Sequence, residues 1–369
     1  VSLSVISVRS RREEKAFLQF PFQLYRREPA FVPPLLDDLR RLFDPARNPF
    51  YGHAVIEMFL ALWNGNIVGR IAAVVDHNYI EARRELVGSL GYFVAVNDLD
   101  VAHALFNSAS HWLRKRDIRK MLGPFSPSLN DERGVLIDNF DRPPLLGLPW
   151  NPPYYQALYE NSVFHKVLDL ASYTTSLADL TASIPSGSSE SHHKHNITIR
   201  RLNVKRVPGE WETLRETYEH SRAGRWDAVP RSAMEFKAAA KIRRLVEPGL
   251  SFIAEQNGVG IGVLLASPDL NVALHRVRRR GFPFGMLNMV WQRRKVRRIR
   301  IEYLGVVEEW RRRGVGRALL AGLVEEGRKR NFTEIATAGI ADYDQAALHL
   351  LSKAGATSIG TYRIYERDV

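Results

Sequence analysis

The residues that could do chemistry are concentrated between positions 301 and 330. An apolar run over 301–307 carries a single carboxylate, Glu302. Beyond Trp310 come Arg311, Arg312, Arg313, Gly314, Val315, Gly316 and Arg317, and then an apolar helical pattern over 318–328. The pattern predicts strand, tight turn, helix. Gly314 and Gly316 allow positive φ and let the backbone come close to a ligand. Unpaired N–H groups at a helix N-terminus make an anion site, and four arginines add fixed positive charge. A phosphate or pyrophosphate suits these residues; the plain alternative is a surface turn with solvated arginines.

Arg311-x-x-Gly314-x-Gly316, set between an apolar strand and an amphipathic helix, resembles the pyrophosphate loop of the GNAT acyltransferase superfamily. The resemblance implies an acyl-CoA co-substrate, acetyl or longer, whose pyrophosphate meets Arg311, Arg312, Arg313, Gly314, Val315, Gly316 and Arg317. It places Leu304, Gly305 and Val306 beside the pantetheine and the thioester carbonyl. A proline usually stands three residues before the loop arginine, and here that position is Glu308, an acid that weakens a diphosphate site. Glu302 is the candidate base, on the expectation that it shares a strand face with Leu304 two residues on; pairing with neighbouring arginines is the alternative. Counted back from Gly355, the family positions for Asn, Ala and a proton-donating Tyr hold Asp344, Ala347 and Leu351. Asp344 thereby counts with the cofactor residues. Tyr343 is taken as the catalytic substitute, with Tyr303 and Tyr362 as others, or the thiolate leaves unaided. The acceptor is an amine, with Trp226, Pro230, Phe236, Asp269 and Asn271 around its site.

With 369 residues, the chain has room for two domains of ordinary size. There is no cysteine, which excludes disulfides, thiolate metal sites and a cysteine nucleophile, and is compatible with a cytoplasmic setting. No apolar run reaches the ~18–20 residues of a membrane span. Lys plus Arg exceed Asp plus Glu by 53 − 40 = 13, and between 270 and 301 there are ten cations and no acid. Their partner is an acidic surface: cofactor phosphates, anionic membrane or nucleic acid. Within this stretch, residues 282–291 are aromatic and Met-rich between basic ends. They read as a segment lying in a membrane interface or as a core helix. In the first case the acceptor is lipophilic and the protein peripheral at the inner membrane surface.

The order of elements, strand, two helices, hairpin, strand, helix, occurs twice. Hairpins are expected over 56–63/67–75 and 251–255/260–266. The fold class expected is α/β (α+β), with two tandem GNAT-like domains, each a mixed, mostly antiparallel sheet flanked by helices. The boundaries fall at 1–178, a linker over 179–196, and 197–369. In the first domain the loop position reads Val96-Asn97-Asp98-Leu99-Asp100. It has no glycine or arginine and carries two acids, so this domain is read as degenerate and without cofactor. A Pro/Asn-rich stretch over 123–155 supplies Asn130 and Glu132 as substrate-binding candidates; turn and cap roles are the alternative. This layout resembles a branch of two-domain bacterial GNAT proteins, and the bacterial ceramide synthases are of related layout. His192, His193 and His195 are read as solvated linker, with no metal site. Gly258-Val259-Gly260-Ile261-Gly262 imitates a nucleotide loop but precedes a strand. The functional alternative to an N-acyltransferase is an inactive GNAT-like protein that binds membrane or nucleic acid through residues 276–300.

Overall fold

The structure, a computed structural model, describes residues 2–34, 36–184, 196–203, 209–242, 247, 249–278 and 295–369. The histidine group at 192–195 and the aromatic segment at 282–291 lie outside them. Two compact units are present: 1–170 together with 360–369, and 171–359.

In the first unit, β1 (Leu3–Ser7), β2 (Ala54–Trp63), β3 (Asn66–Asp76) and β4 (Val87–Ala95) run antiparallel, and β5 (Lys120–Gly123) is parallel to β4. Asn64 and Gly65, both at positive φ, close the β2–β3 hairpin as their turn chemistry requires. The short strands β6 (Phe125–Ser126), β7 (Glu132–Arg133) and β8 (Val135–Leu136) and the first half of β9 (His165–Ser176) follow. One sheet face is covered by α1 (Arg11–Leu24) and α2 (Leu36–Phe43), whose Phe17, Leu18 and Phe43 join Leu60, Ala72 and Tyr92 in one apolar cluster. Helix α1 is started by a Ser10–Glu13 capping box. It contains Pro21, which has no N–H to give the Phe17 carbonyl one turn earlier. Nη1 of Arg70, a residue only 7% exposed, donates to that carbonyl instead, at 2.5 Å, with its guanidinium 4.7 Å from the Phe17 ring. After α3 (His77–Arg83), the helix α4 (Leu99–Arg114) covers the other face, and the short α5 (Tyr155–Glu160) adds to the aromatic packing.

The second unit begins in the second half of β9 and continues through α6 (Leu177–Ser183) to β10 (Ile197–Arg201). The helices α7 (Glu210–Arg222) and α8 (Ala233–Ile242) come next. The hairpin of β11 (Phe252–Gln256) and β12 (Val259–Pro268) follows, then α9 (Leu270–Arg278) and β13 (Arg298–Val306). Last come α10 (Val315–Lys329), β14 (Glu334–Ala341), α11 (Gln345–Lys353) and β15 (Thr357–Asp368). Strands β10 to β13 are antiparallel neighbours and β14 is parallel to β13. Helices α7 and α8 pack Leu214 and Phe236 on one face against Ile253, Val263 and Leu265. Helix α10 packs Val315, Leu319 and Leu323 on the other, against Ile299 and Ile301. The glycine-rich string at 258–262 is hairpin and strand, and Gly260 leaves room for α7, since a Cβ there would collide with Thr217.

The two units repeat one another in register. Gly69 faces Ala95 and Gly262 faces Val306, and the next residue donates back in both cases, Val96 to Val68 and Val307 to Ile261. A Cβ on Gly69 would press on Val101 and Leu105, and one on Gly262 on Val315 and Leu319, each pair one helical turn apart. From Ala95 to Val101 is six residues, and from Val306 to Val315 nine. The three extra residues lengthen the turn that carries the arginines and Gly314.

Candidate active site at the open edge of β13

Strand β13 is paired with β14 only from Arg298↔Glu334 to Ile301↔Thr337, although both strands run on. The bond from Val307 to Ile261 sets the phase of the antiparallel ladder with β12, so Leu304 and Val306 turn their N–H and C=O groups away from β12. These groups face the edge that β14 has left. Their side chains pack on the α10 cluster, so what Leu304 and Val306 present there is backbone. A chain with amide groups of its own can add to such an edge as another strand would.

At the end of this edge sits the N-terminus of α10. Gly314 is its N-cap at φ +84°, with no side chain closing the helix. The N–H groups of Val315, Gly316 and Arg317 precede the first intrahelical bond, from Ala318 to the Gly314 carbonyl. The Val315 side chain is core, so this residue too offers only its backbone. A Cβ on Gly316 would make a single ordinary contact, 3.7 Å from Val306 Cγ2. The arginines divide their work. Arg311 is turned inward, its Nε donating to the Val306 carbonyl (3.2 Å) and its Nη2 to the Ser221 carbonyl (3.3 Å), and so ties the loop to β13 and α7. Arg313 lies over the Trp310 ring at 4.9 Å. Arg312, at φ +62°, and Arg317 are exposed.

The expectation that Glu302 shares a face with Leu304 is overturned by a bulge. Leu265 pairs with Tyr303 and Ala266 with Ile301, so Glu302 is the extra residue on β13 and the alternation changes phase there. Ile299 and Ile301 face α10, and so do Leu304 and Val306. Tyr303 instead faces α7 and α8, packing with Phe236, Val263 and Leu265. Glu302, 13% exposed, is ion-paired to Arg300, which is 2% exposed, and its Oε1 accepts from Ser267 Oγ at 3.3 Å. Pairing with a neighbouring arginine, the alternative reading, is therefore the arrangement found. Arg298 is likewise tied to Glu334 (2.8 Å) and Asp269 (3.7 Å), so Arg298 and Arg300, among the described residues of the 270–301 stretch, serve internal ion pairs.

On the α7 side of the edge lies a polar cluster that the sequence does not advertise. Tyr303 Oη is 2.8 Å from Ser221 Oγ, and its ring centroid is 4.5 Å from that of Tyr218. Arg222 Nη1 donates to Tyr218 Oη at 2.8 Å, and Arg225 pairs with the buried Asp227 at 2.9 Å. Burial disfavours the charges of Arg222 and Arg225, yet Tyr218 and Asp227 more than reverse this for Arg222, as Asp227 does for Arg225, and hold both above the usual arginine range. Of the expected acceptor residues, Trp226 sits inside this cluster's loop with its Nε1 buried and without a partner among the described residues. Phe236 is 3% exposed and belongs to the core, not to a rim. Asp269 is buried, accepting from the Asn271 N–H at the start of α9. Tyr343 is 54% exposed in the turn before α11, and Asp344 is the N-cap of that helix, accepting from the Ala347 N–H at 3.1 Å. Leu351, at the family's tyrosine position, is on α11.

The profile of the Acetyltransferase (GNAT) family matches residues 211–356. The chain is 30% identical to Protein YghO of Escherichia coli K12 over 367 residues, 98% of this chain and 94% of that protein. The chain belongs to the GNAT family. It is also 29% identical to the bacterial ceramide synthase of Caulobacter vibrioides, over 99% of this chain and 97% of that protein. Among solved structures it is similar to a tandem GNAT protein from the clavulanic acid biosynthesis pathway, with a TM-score of 0.59 at 13% identity, covering 100% of this chain and 98% of that one. The fold is thus a tandem GNAT fold, and acyl transfer is the activity that the family supports.

In the first unit of this GNAT protein the edge corresponding to Leu304–Val306 is already filled. Pairing of β4 with β5 stops at Ser89↔Leu122. Beyond it the Ala95 N–H donates to Tyr155 Oη (2.8 Å), Tyr154 Oη donates to the Ala95 carbonyl (2.8 Å), and the Tyr92 N–H donates to Ser126 Oγ (3.0 Å). Phe125 crosses so close to Gly91 that a Cβ there would strike its carbonyl. Helix α4 is capped by Asp98, which accepts from Val101 N–H and puts a carboxylate where α10 is open. Asn130 and Glu132 stand in the turn and strand beside Ser126: Asn130 N–H donates to Ser128 Oγ, and Glu132 pairs with Ser126 in the β6–β7 ladder. Among the described residues no group of His, Asp and Glu could hold a metal ion, and no helix is long and apolar enough to cross a membrane.

Proposed function

We propose that this protein is an N-acyltransferase whose second unit binds acyl-CoA and passes the acyl group directly to an amine, with no covalent enzyme intermediate. The observation that carries the reading is the uncapped N-terminus of α10, with Gly316 free of any packing duty, at the end of the open β13 edge. The family supplies the acyl-CoA: its pyrophosphate would meet the N–H groups of Val315, Gly316 and Arg317 with the charges of Arg312 and Arg317. Its pantetheine amides would pair with Leu304 and Val306, which brings the thioester carbonyl against backbone N–H donors. Gly305 and the α7 cluster would then face the incoming amine. For the acceptor we extend the class suggested by the Caulobacter vibrioides relative, since a ceramide is the amide of a long-chain amino alcohol. A lipophilic amine fits a cytoplasmic protein working at the inner membrane surface.

The test is calorimetric titration of the full chain with coenzyme A, acetyl-CoA and palmitoyl-CoA below micelle-forming concentration. Palmitoyl-CoA binding well above acetyl-CoA supports acylation of a long-chain base. Equal binding moves the acceptor to small polar amines, and absence of binding by all three ends the enzyme reading.

A further inference from the structure

We propose that Tyr303, working with Ser221, is the proton-transfer residue of this acyl transfer; the inference rests on the acyl-CoA reading of the β13 edge. The bulge at Glu302 turns Tyr303 to the α7 side, opposite to Leu304. There its hydroxyl lies over Gly305: a Cβ at that glycine would come within 2.3 Å of Tyr303 Oη and 2.5 Å of Ser221 Oγ. Glycine at 305 therefore makes room for two hydroxyls beside the two residues whose polar backbone faces the open edge. The Ser221 hydroxyl donates to the Tyr218 carbonyl at 2.9 Å, so its oxygen accepts the Tyr303 proton, and the phenol oxygen keeps its lone pairs for a substrate N–H. Rotating the two hydroxyls reverses the chain and frees the Tyr303 proton.

The charged and titratable neighbours suit a phenol that stays protonated until it is used. Burial is the main influence and pushes Tyr303 up to about 12; Tyr218 adds to it, while Ser221, Arg222 and Arg225 work the other way. Asp227 is engaged by Arg225, Tyr343 lies within electrostatic reach of Arg225, and Glu302 on the same strand is engaged by Arg300. From helix α8 the apolar Phe236 packs in the same cluster as the Tyr303 ring. Glu302 is tied up and Leu351 carries no proton, so Tyr303 is the group placed for the work.

The step balances within the substrates. The amine nitrogen attacks the thioester carbon and the C–N bond forms. The C–S bond then breaks, with its electron pair going to sulfur. Tyr303 gives its proton to the sulfur and takes the surplus proton from nitrogen, directly or through Ser221, so one proton leaves nitrogen and one arrives on sulfur.

The test needs no acceptor. The chain has no cysteine, so with the protein in excess over coenzyme A the pH dependence of alkylation by iodoacetamide reports the bound coenzyme A thiol. In the wild type, a hydrogen bond from Tyr303 stabilises the thiolate, and the bound thiol should titrate about one unit lower than in Tyr303→Phe. Ser221→Ala should fall between them. With palmitoyl-CoA and sphinganine as probes, Tyr303→Phe should lower kcat roughly 100-fold with KM for palmitoyl-CoA unchanged. Phenylalanine keeps the ring packing on Tyr218. Coenzyme A bound by both proteins, with the same thiol titration in each, would therefore overturn the role of Tyr303 and leave the acyl-CoA reading standing. A wild type that binds no coenzyme A would overturn both.

Discussion

Gly316 has no packing reason to be glycine, because the Cβ it lacks would touch only Val306 at ordinary distance. Gly316→Glu should therefore leave the melting temperature almost unchanged while reducing coenzyme A affinity more than 100-fold, through loss of space and an added charge facing a diphosphate. Calorimetry alongside thermal unfolding checks both halves, and unchanged affinity would remove the loop from the site. At Glu302 the expectation differs from that for a base. Glu302→Gln removes the charge that meets buried Arg300, and should cost roughly 1–3 kcal/mol of stability in chemical denaturation. In the first unit, Arg70 and Pro21 should be coupled through the Phe17 carbonyl. Arg70→Met should cost about 1–3 kcal/mol in the native background, and less in Pro21→Ala, where residue 21 can itself donate to that carbonyl. Additive costs would break the link. Burial disfavours the charge of Arg70, pushing it down to about 10, so the guanidinium is still charged at neutral pH.

At the scale of elements, the two halves differ in what ends their central strands and starts their next helices. Asp98 closes α4, and tyrosine hydroxyls occupy both polar groups of Ala95; α10 has no side-chain cap, and at Val306 the carbonyl alone takes a side-chain donor, Arg311 Nε. Titration should accordingly return one acyl-CoA per chain, and a stoichiometry of two would contradict the filled edge of β4. Strand β10 and helix α7 are joined by Arg200, whose guanidinium lies between Glu210 and Glu255. Burial raises the Glu210 carboxyl, yet the Arg200 and Asn203 hydrogen bonds outweigh it and leave Glu210 below the usual range. A depressed carboxylate stabilises the fold above its unfolded value, about 4.3, and this contribution is lost as pH falls through the folded value. Glu210→Gln should therefore flatten the acid limb of the second unit's stability profile, measured by denaturation from pH 6 down to about 3.

For the whole molecule, the far end of the chain is structural to the beginning. Residues 365–368 of β15 pair with β5, Tyr365 stacks on Tyr159, and Arg363 forms a bidentate pair with Asp169. A chain ending at 359 should lose the cooperative unfolding of the first unit, seen as early proteolysis within residues 1–170. Much of this architecture was legible in the sequence. Strong periods and Asn-Gly turns set both hairpins and the amphipathic helices. The arginine-glycine spacing set the tight turn into α10, and Asp98 marked a side-chain cap at the matching helix start of the first half. These are local properties, decided by propensity and by neighbours a few residues away. What only the tertiary structure decided was non-local. The bulge that exchanges Glu302 for Tyr303 arises from pairing with β12, 35 residues upstream. The tyrosines that fill the β4 edge come from about 60 residues downstream. A strand written last in the chain completes the unit written first. A sequence period reports which side chains alternate, but the phase of that alternation, and the owner of each backbone N–H, are fixed only when the partner strand arrives.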